Sequence, residues 1–156
     1  MSYYSLTFGS ALGLIQLTAS NKGLTGLLFD AKPDQKSSNN DYPILSDALK
    51  QLDEYFQGKR KEFSIPVDMN GTEFQMRVWN AVAKIGYGTI STYQDIANSI
   101  KNPKGVRAVG LANGKNPIPI IIPCHRIIGS NGKLTGYGGG LWRKEWLLRH
   151  EGAILL

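Results

Sequence analysis

The run Ile122-Pro123-Cys124-His125-Arg126-Ile127 sets a thiol beside an imidazole and a guanidinium, and Cys124 is the one cysteine of the chain. Cationic neighbours depress a thiol's pKa and the thiolate is the nucleophile, so this run could support covalent chemistry through sulfur. A single cysteine excludes an internal disulfide and leaves no second thiol to resolve an oxidised one. Adjacent side chains on extended backbone point to opposite faces, so His125 would need a turn or a bridging water to reach the sulfur. Glu151 could hold the imidazole in its useful tautomer, and Asn116 could anchor the segment through its amide. The same residues also fit a structural role, with Cys124 a small core hydrophobe and His125 a satisfied polar group. A metal centre fits poorly, because one Cys with His125 and His150 lacks the spacing of a closed zinc set. Nor do Gly136 and Gly138–Gly140 make a phosphate loop, since no Gly-Lys-Ser/Thr follows them.

Elements that must position these groups can be read from periodicity and punctuation. Short apolar runs at Tyr3–Phe8, Gly13–Thr18 and Leu24–Phe29, with turn signals at Gly9-Ser10 and Ser20–Gly23, predict an antiparallel meander. Ala31–Asn40 is polar and contains proline, which predicts an exposed loop. Pro43–Phe56 has helical spacing and stops at Gly58; Phe63–Val67 predicts a further strand. A boundary near Asn70 divides an N-terminal α/β domain, 1–69, from a mostly helical domain, 70–156.

In the second domain Thr72–Gln75 reads as a capping box opening an amphipathic helix. Ser91–Gln94 reads as a second box, opening a helix to about Ile100. Asn102-Pro103 supplies N-cap and N1 for a third helix through Asn113, with Gly114 as its stop. These two short helices, the second bearing Arg107, match a helix-turn-helix pattern, as they also match a helix pair that only packs. Three prolines in Asn116–Pro123 predict an extended, rigid, buried segment delivering Cys124. Ser130–Lys133 is a turn, Gly136–Gly140 a loop that backbone can bring close to a ligand, and Leu141–His150 a final helix. Trp79, Trp142 and Trp146 fall at helical positions and read as packing residues.

Charge is unevenly shared. Residues 1–69 hold seven Lys/Arg against eight Asp/Glu, whereas residues 70–156 hold eleven against four. The half with Cys124 therefore carries the positive charge, which on its own fits a solubilising surface better, and also fits a polyanionic partner such as nucleic acid. No apolar run approaches a membrane span, the N-terminus lacks a secretory pattern, and a lone cysteine suits a reducing cytoplasm.

Four motifs in order resemble the O6-alkylguanine-DNA alkyltransferases, also called methylated-DNA–protein-cysteine methyltransferases. They are Arg107–Gly110, Asn116–Pro119 leading to Pro123-Cys124-His125-Arg126, Gly136–Gly140, and His150-Glu151-Gly152. The resemblance covers about residues 70–156 and implies an α+β fold with a winged-helix-like, helix-turn-helix C-terminal domain. It implies a monomer that binds duplex DNA from the minor groove, flips out O6-alkylguanine and takes the alkyl group irreversibly onto Cys124, with O4-alkylthymine as a further substrate. Arg107 would fill the vacated stack and Tyr93 would turn the phosphate, with Gln94, Asn102 and Ser130 as further DNA contacts. His125 and Glu151 would generate the thiolate, Asn116 would tie the nucleophile segment to the recognition helix, and Pro119, Ile127, Tyr137, Gly138 and Lys144 would line the guanine pocket. It implies no cofactor and no metal, and a protein of the cytoplasm, or of the nucleus in a eukaryote. Two other functions remain compatible with the residues: a damage-recognition module with a silent thiol, and a cysteine hydrolase or acyltransferase.

Overall fold

Alternation of apolar and polar side chains forms a three-stranded antiparallel meander of β1 (Tyr4–Ser10), β2 (Gly13–Ala19) and β3 (Leu24–Phe29). The computed structural model describes residues 4–32 and 41–154, in two units, Met1–Asn70 and Gly71–Leu156. Along β2 the side chains of Ile15, Leu17 and Ala19 face the core, and Tyr4 pairs with Ala19 at one end of the first hairpin while Ser10 pairs with Gly13 at the other. The turn is therefore Ala11-Leu12, two residues beyond the expected Gly9-Ser10, because Ser10 Oγ closes it with bonds from the Leu12 amide and to the Gly13 carbonyl. The second turn falls at Ser20–Gly23 as expected.

Helix α1 (Pro43–Phe56) lays Leu45, Ala48, Leu52 and Tyr55 against β1 and β2, and Gly58, with φ of 77°, ends it. The expected strand at Phe63–Val67 does not form a ladder. Only Val67 bridges, in parallel, to Leu24, and the bonds run from the Leu24 amide to Pro66 and from the Asp68 amide to Leu24. Proline at 66 has no amide to donate. Gly23 is needed there, since a Cβ would lie 2.7 Å from the Pro66 carbonyl. The polar loop expected at Ala31–Asn40 falls, from residue 33 onward, outside the described residues.

The second unit opens with α2 (Glu73–Val82), whose N-cap Thr72 and N3 Gln75 form a reciprocal capping box. Val78, Trp79 and Val82 are its buried face, and the Trp79 indole donates to the Ala112 carbonyl at 2.8 Å. Then come β4 (Ser91–Thr92), α3 (Tyr93–Ser99) and α4 (Val106–Gly114). The second capping box lies one residue later than expected: Thr92 caps and Asp95 closes. An aspartate answers the cap as well as a glutamate does when the backbone presents it, which the four-letter pattern missed. Helix α4 starts three residues later than expected, at Val106 behind Gly105, because residues 102–105 form a separate turn in which the Gly105 amide bonds the Asn102 carbonyl. A 3-10 turn, Cys124–Arg126, leads straight into β5 (Ile127–Ile128), which pairs in parallel with β4, and α5 (Leu141–His150) closes the unit. Among the described residues, no helix is long and apolar enough to cross a membrane.

Candidate active site

Residues 116–123 deliver Cys124, though not as the extended rod their prolines suggested. They fold as consecutive turns: the Ile122 amide bonds the Ile118 carbonyl, and Asn116 accepts from the Ile118 amide at 2.9 Å while donating to the Ile122 carbonyl at 2.7 Å. Ile120 sits at φ of 74°, a region that disfavours β-branched residues and costs on the order of 1–3 kcal/mol. Burial of Ile118, Ile120 and Ile122 holds it there. Prolines forbid regular ladders but not turns, so the rigidity expected of this segment comes from the amide of Asn116 and from isoleucine packing. Helix α4 is joined to the segment twice: the Asn113 side chain donates to the Cys124 carbonyl at 3.4 Å, and the Asn116 amide bonds the Asn113 carbonyl at 3.3 Å, with the Asn116 side chain stapling the segment just beyond. Asn113, one turn ahead of Asn116 on a helix, carried no sequence signal beyond its type.

Cys124 is 6% exposed. Burial pushes its thiol up to about 11, against smaller opposing effects of a hydrogen bond from Asn116 and the positive charge of Lys144. The resting sulfur is therefore protonated, contrary to the depression expected from its sequence neighbours. Arg126 cannot lower it because its guanidinium turns to Glu151, donating to both carboxylate oxygens at 2.8 and 3.0 Å and to the Ile85 carbonyl at 2.6 Å. This role for Arg126 was not read from the sequence, where it appeared only as a neighbour of the thiol.

The bidentate pair keeps Glu151 ionised and purely an acceptor. His125, wholly buried, must then donate from Nε2 to Glu151 Oε2 at 2.8 Å, which leaves Nδ1 as the basic nitrogen. That Nδ1 is buried and bonds no group among the described residues. Burial lowers the pKa of His125 more than Glu151 raises it, so the ring is neutral at physiological pH. A neutral imidazole nitrogen can accept a proton, directly or through a water, and the backbone at 124–126 is a 3-10 turn rather than the extended strand considered from the sequence.

Other expected site residues fall into two groups. Parallel pairing of Ser91 with Ile127 and Thr92 with Ile128 brings the start of α3 beside the strand that follows the thiol. Tyr93 thereby begins α3, beside Gly110 of α4, and its hydroxyl bonds Thr135 Oγ1 at 3.2 Å. Gln94 bonds Asn98 and the Pro103 carbonyl, Arg107 is exposed in the first turn of α4, and Asn102 and Ser130 lie in turns. Ile127 is wholly buried in β5, Pro119 is half-buried, and Tyr137 and Gly138 occupy the glycine loop. The phenol of Tyr137 is pushed well up, by burial first and by Cys124 second. Lys144 is 0% exposed, donates to the Thr135 carbonyl at 2.7 Å, and is lowered by burial to about 8. Trp142 departs from expectation: it is 53% exposed rather than packed, whereas Trp79 is buried and Trp146 stacks on His150. Among the described residues no cluster of three or more Cys, His, Asp or Glu side chains is gathered to hold a metal.

Comparison with known proteins covers both units. Residues 73–153 match the family model of the 6-O-methylguanine DNA methyltransferase DNA binding domain, and residues 2–69 that of the ribonuclease-like domain of the same family. A methylated-DNA–protein-cysteine methyltransferase of Methanosarcina acetivorans is 47% identical, over 97% of this chain and 99% of its own. One from Mycolicibacterium paratuberculosis is 46% identical, over 96% and 94%. The crystal structure of the Mycobacterium tuberculosis O6-methylguanine methyltransferase superposes with a TM-score of 0.86 at 44% identity, covering 97% of this chain and 94% of that one. The structure of that organism's OGT in complex with DNA gives 0.86 at 45% identity, covering 96% and 93%. With models matching both units and near-half identity along almost its whole length, this chain belongs to the O6-methylguanine DNA methyltransferase family.

Proposed function

We propose that this chain repairs duplex DNA by moving the alkyl group of O6-alkylguanine, and of O4-alkylthymine, irreversibly onto Cys124. The observation that carries the reading is the buried line from Arg126 through Glu151 to His125 Nε2, which leaves Nδ1 as the basic nitrogen of the residue next in chain to the protonated thiol. His125, directly or through one water, takes the thiol proton, and the sulfur lone pair attacks the alkyl carbon in line with the C–O6 bond. The S–C bond forms as the C–O6 bond breaks, its electron pair stays on the base, and the base takes up a proton, so that guanine is restored and the histidine can return to neutrality. A thioether has no resolving partner, so each molecule reacts once, without cofactor or metal.

The alkyl carbon is out of reach inside a base stack, and extruding the base costs a few kcal/mol. The second domain, 70–156, supplies that work as a monomer working from the minor groove through α3 and α4 used as a helix-turn-helix. Arg107, exposed at the start of α4, enters the vacated stack; Tyr93 turns the phosphate; Gln94, Asn102 and Ser130 contact the backbone. Pro119, Ile127, Tyr137, Gly138 and Lys144 form the pocket, and Asn113 with Asn116 fixes the sulfur. The free buried thiol suits a reducing cytoplasm or nucleus.

Intact mass after incubation with a duplex containing one O6-methylguanine tests the reading. The expected result is a gain of about 14 Da, stopping at one per molecule, mapped to Cys124 and absent in Cys124→Ala, which still binds the duplex. Unchanged mass with saturable binding would instead make the chain a recognition protein.

A further inference from the structure

The segment from Thr135 to Gly140 holds four glycines in six residues, a composition with more conformational freedom than any other. Yet it carries Tyr137 and Gly138, which the reading above makes a wall of the base pocket. Two consecutive side chains in the first turn of α5 grip its two ends. Lys144 Nζ donates to the Thr135 carbonyl at 2.7 Å, and Arg143 Nη1 donates to the Gly139 carbonyl at 2.7 Å. Both side chains are buried, Arg143 being 4% exposed. The first turn of a helix is where the backbone dipole disfavours cations, and α5 has no acidic residue there to offset them. Burial adds a desolvation penalty. Two opposed penalties at one turn call for a compensating role.

Trp142 completes the arrangement. The Arg143 guanidinium lies 4.5 Å from the centre of its ring, and the ring rests on Gly140, where a Cβ would come within 3.4 Å of it. Half exposed, this ring does not fill a core; it covers the guanidinium and the last peptide of the loop. The geometry points to Arg143, covered by Trp142, as the pair that fixes the width of the pocket wall and thereby restricts transfer to small alkyl groups. This inference rests on the transfer reading and on Tyr137 and Gly138 lining the pocket. In-line displacement on a methyl carbon needs close alignment, which a fixed wall provides. A larger group needs the wall to yield, which the grip on Gly139 prevents. Arg143 acts through the loop, as a positioning residue.

The test is the ratio of single-turnover rates on two duplexes, one with O6-benzylguanine and one with O6-methylguanine, each read as mass gain at Cys124. Arg143→Leu and Trp142→Ala should raise the benzyl-to-methyl ratio about fivefold or more, while Arg143→Lys and Trp142→Phe should stay near the parent value. A merely structural role would slow both transfers by one common factor, and an unchanged ratio in folded Trp142→Ala would overturn the inference. Because the Trp142 ring is on the surface, that variant keeps the test available should Arg143→Leu fail to fold. A parent protein that gains no mass from either duplex would overturn the transfer reading, and this inference with it.

Discussion

At the scale of single residues, proton positions decide the chemistry. With the thiol at about 11 and His125 held neutral, the wild-type rate should hold through neutral pH and fall only as the imidazole protonates, below the usual histidine range. His125→Asn removes the base, so its residual rate should climb about tenfold per pH unit toward the thiol's own pKa. A variant with the same pH profile as the parent would remove His125 from the reaction. Lys144 offers an opposite trade. Its pKa is about 8 in the fold against 10.5 outside it, so the unfolded chain binds the proton more tightly. The resulting deficit is fully present at pH 7 and is relieved as pH rises from about 8 through 10.5. Lys144→Met should therefore melt a few degrees higher at pH 7, an advantage that shrinks above pH 8, and should transfer alkyl groups more slowly. A lower melting temperature at pH 7 would contradict the sign.

Elements position those residues through a few local bonds. Because Thr92 both caps α3 and pairs with Ile128, removing its hydroxyl should loosen Tyr93 at the next position. Thr92→Val is expected to lower stability by about 1 kcal/mol and to slow repair of a lesion in DNA more than reaction with the free modified base. Equal slowing of both would show that Tyr93 does not depend on the cap. The same elements mark what the sequence made legible. Helices Pro43–Phe56 and Leu141–His150 and the strand Leu24–Phe29 were readable to the residue because apolar period and punctuating glycines agree there. Val106 as the start of α4 was hidden by an Asn-Pro pair that makes a turn of its own. The 116–123 turns were hidden because proline states what backbone cannot do, not what it does. Arg126 and Asn113 were missed for a different reason: their partners lie 25 and 11 positions away, where no local pattern reaches.

For the whole molecule, the excess of eleven basic over four acidic residues beyond position 69 predicts binding dominated by phosphate contacts. Affinity for an undamaged duplex should drop about a hundredfold between roughly 50 and roughly 200 mM salt, followed by fluorescence anisotropy; a flat response would argue against an electrostatic footprint. Burial of the sulfur has a consequence of another kind. For a protein that works once, the number of intact copies is the number of lesions a cell can erase. At 6% exposure and with a thiol protonated far above neutral pH, Cys124 is shielded from peroxide, from electrophilic metabolites and from the very alkylating agents that damage the DNA. Iodoacetamide should label the folded protein orders of magnitude more slowly than the unfolded chain. The same closed interior that makes the thiol sluggish in solution thus preserves the standing repair capacity until a flipped base arrives to use it.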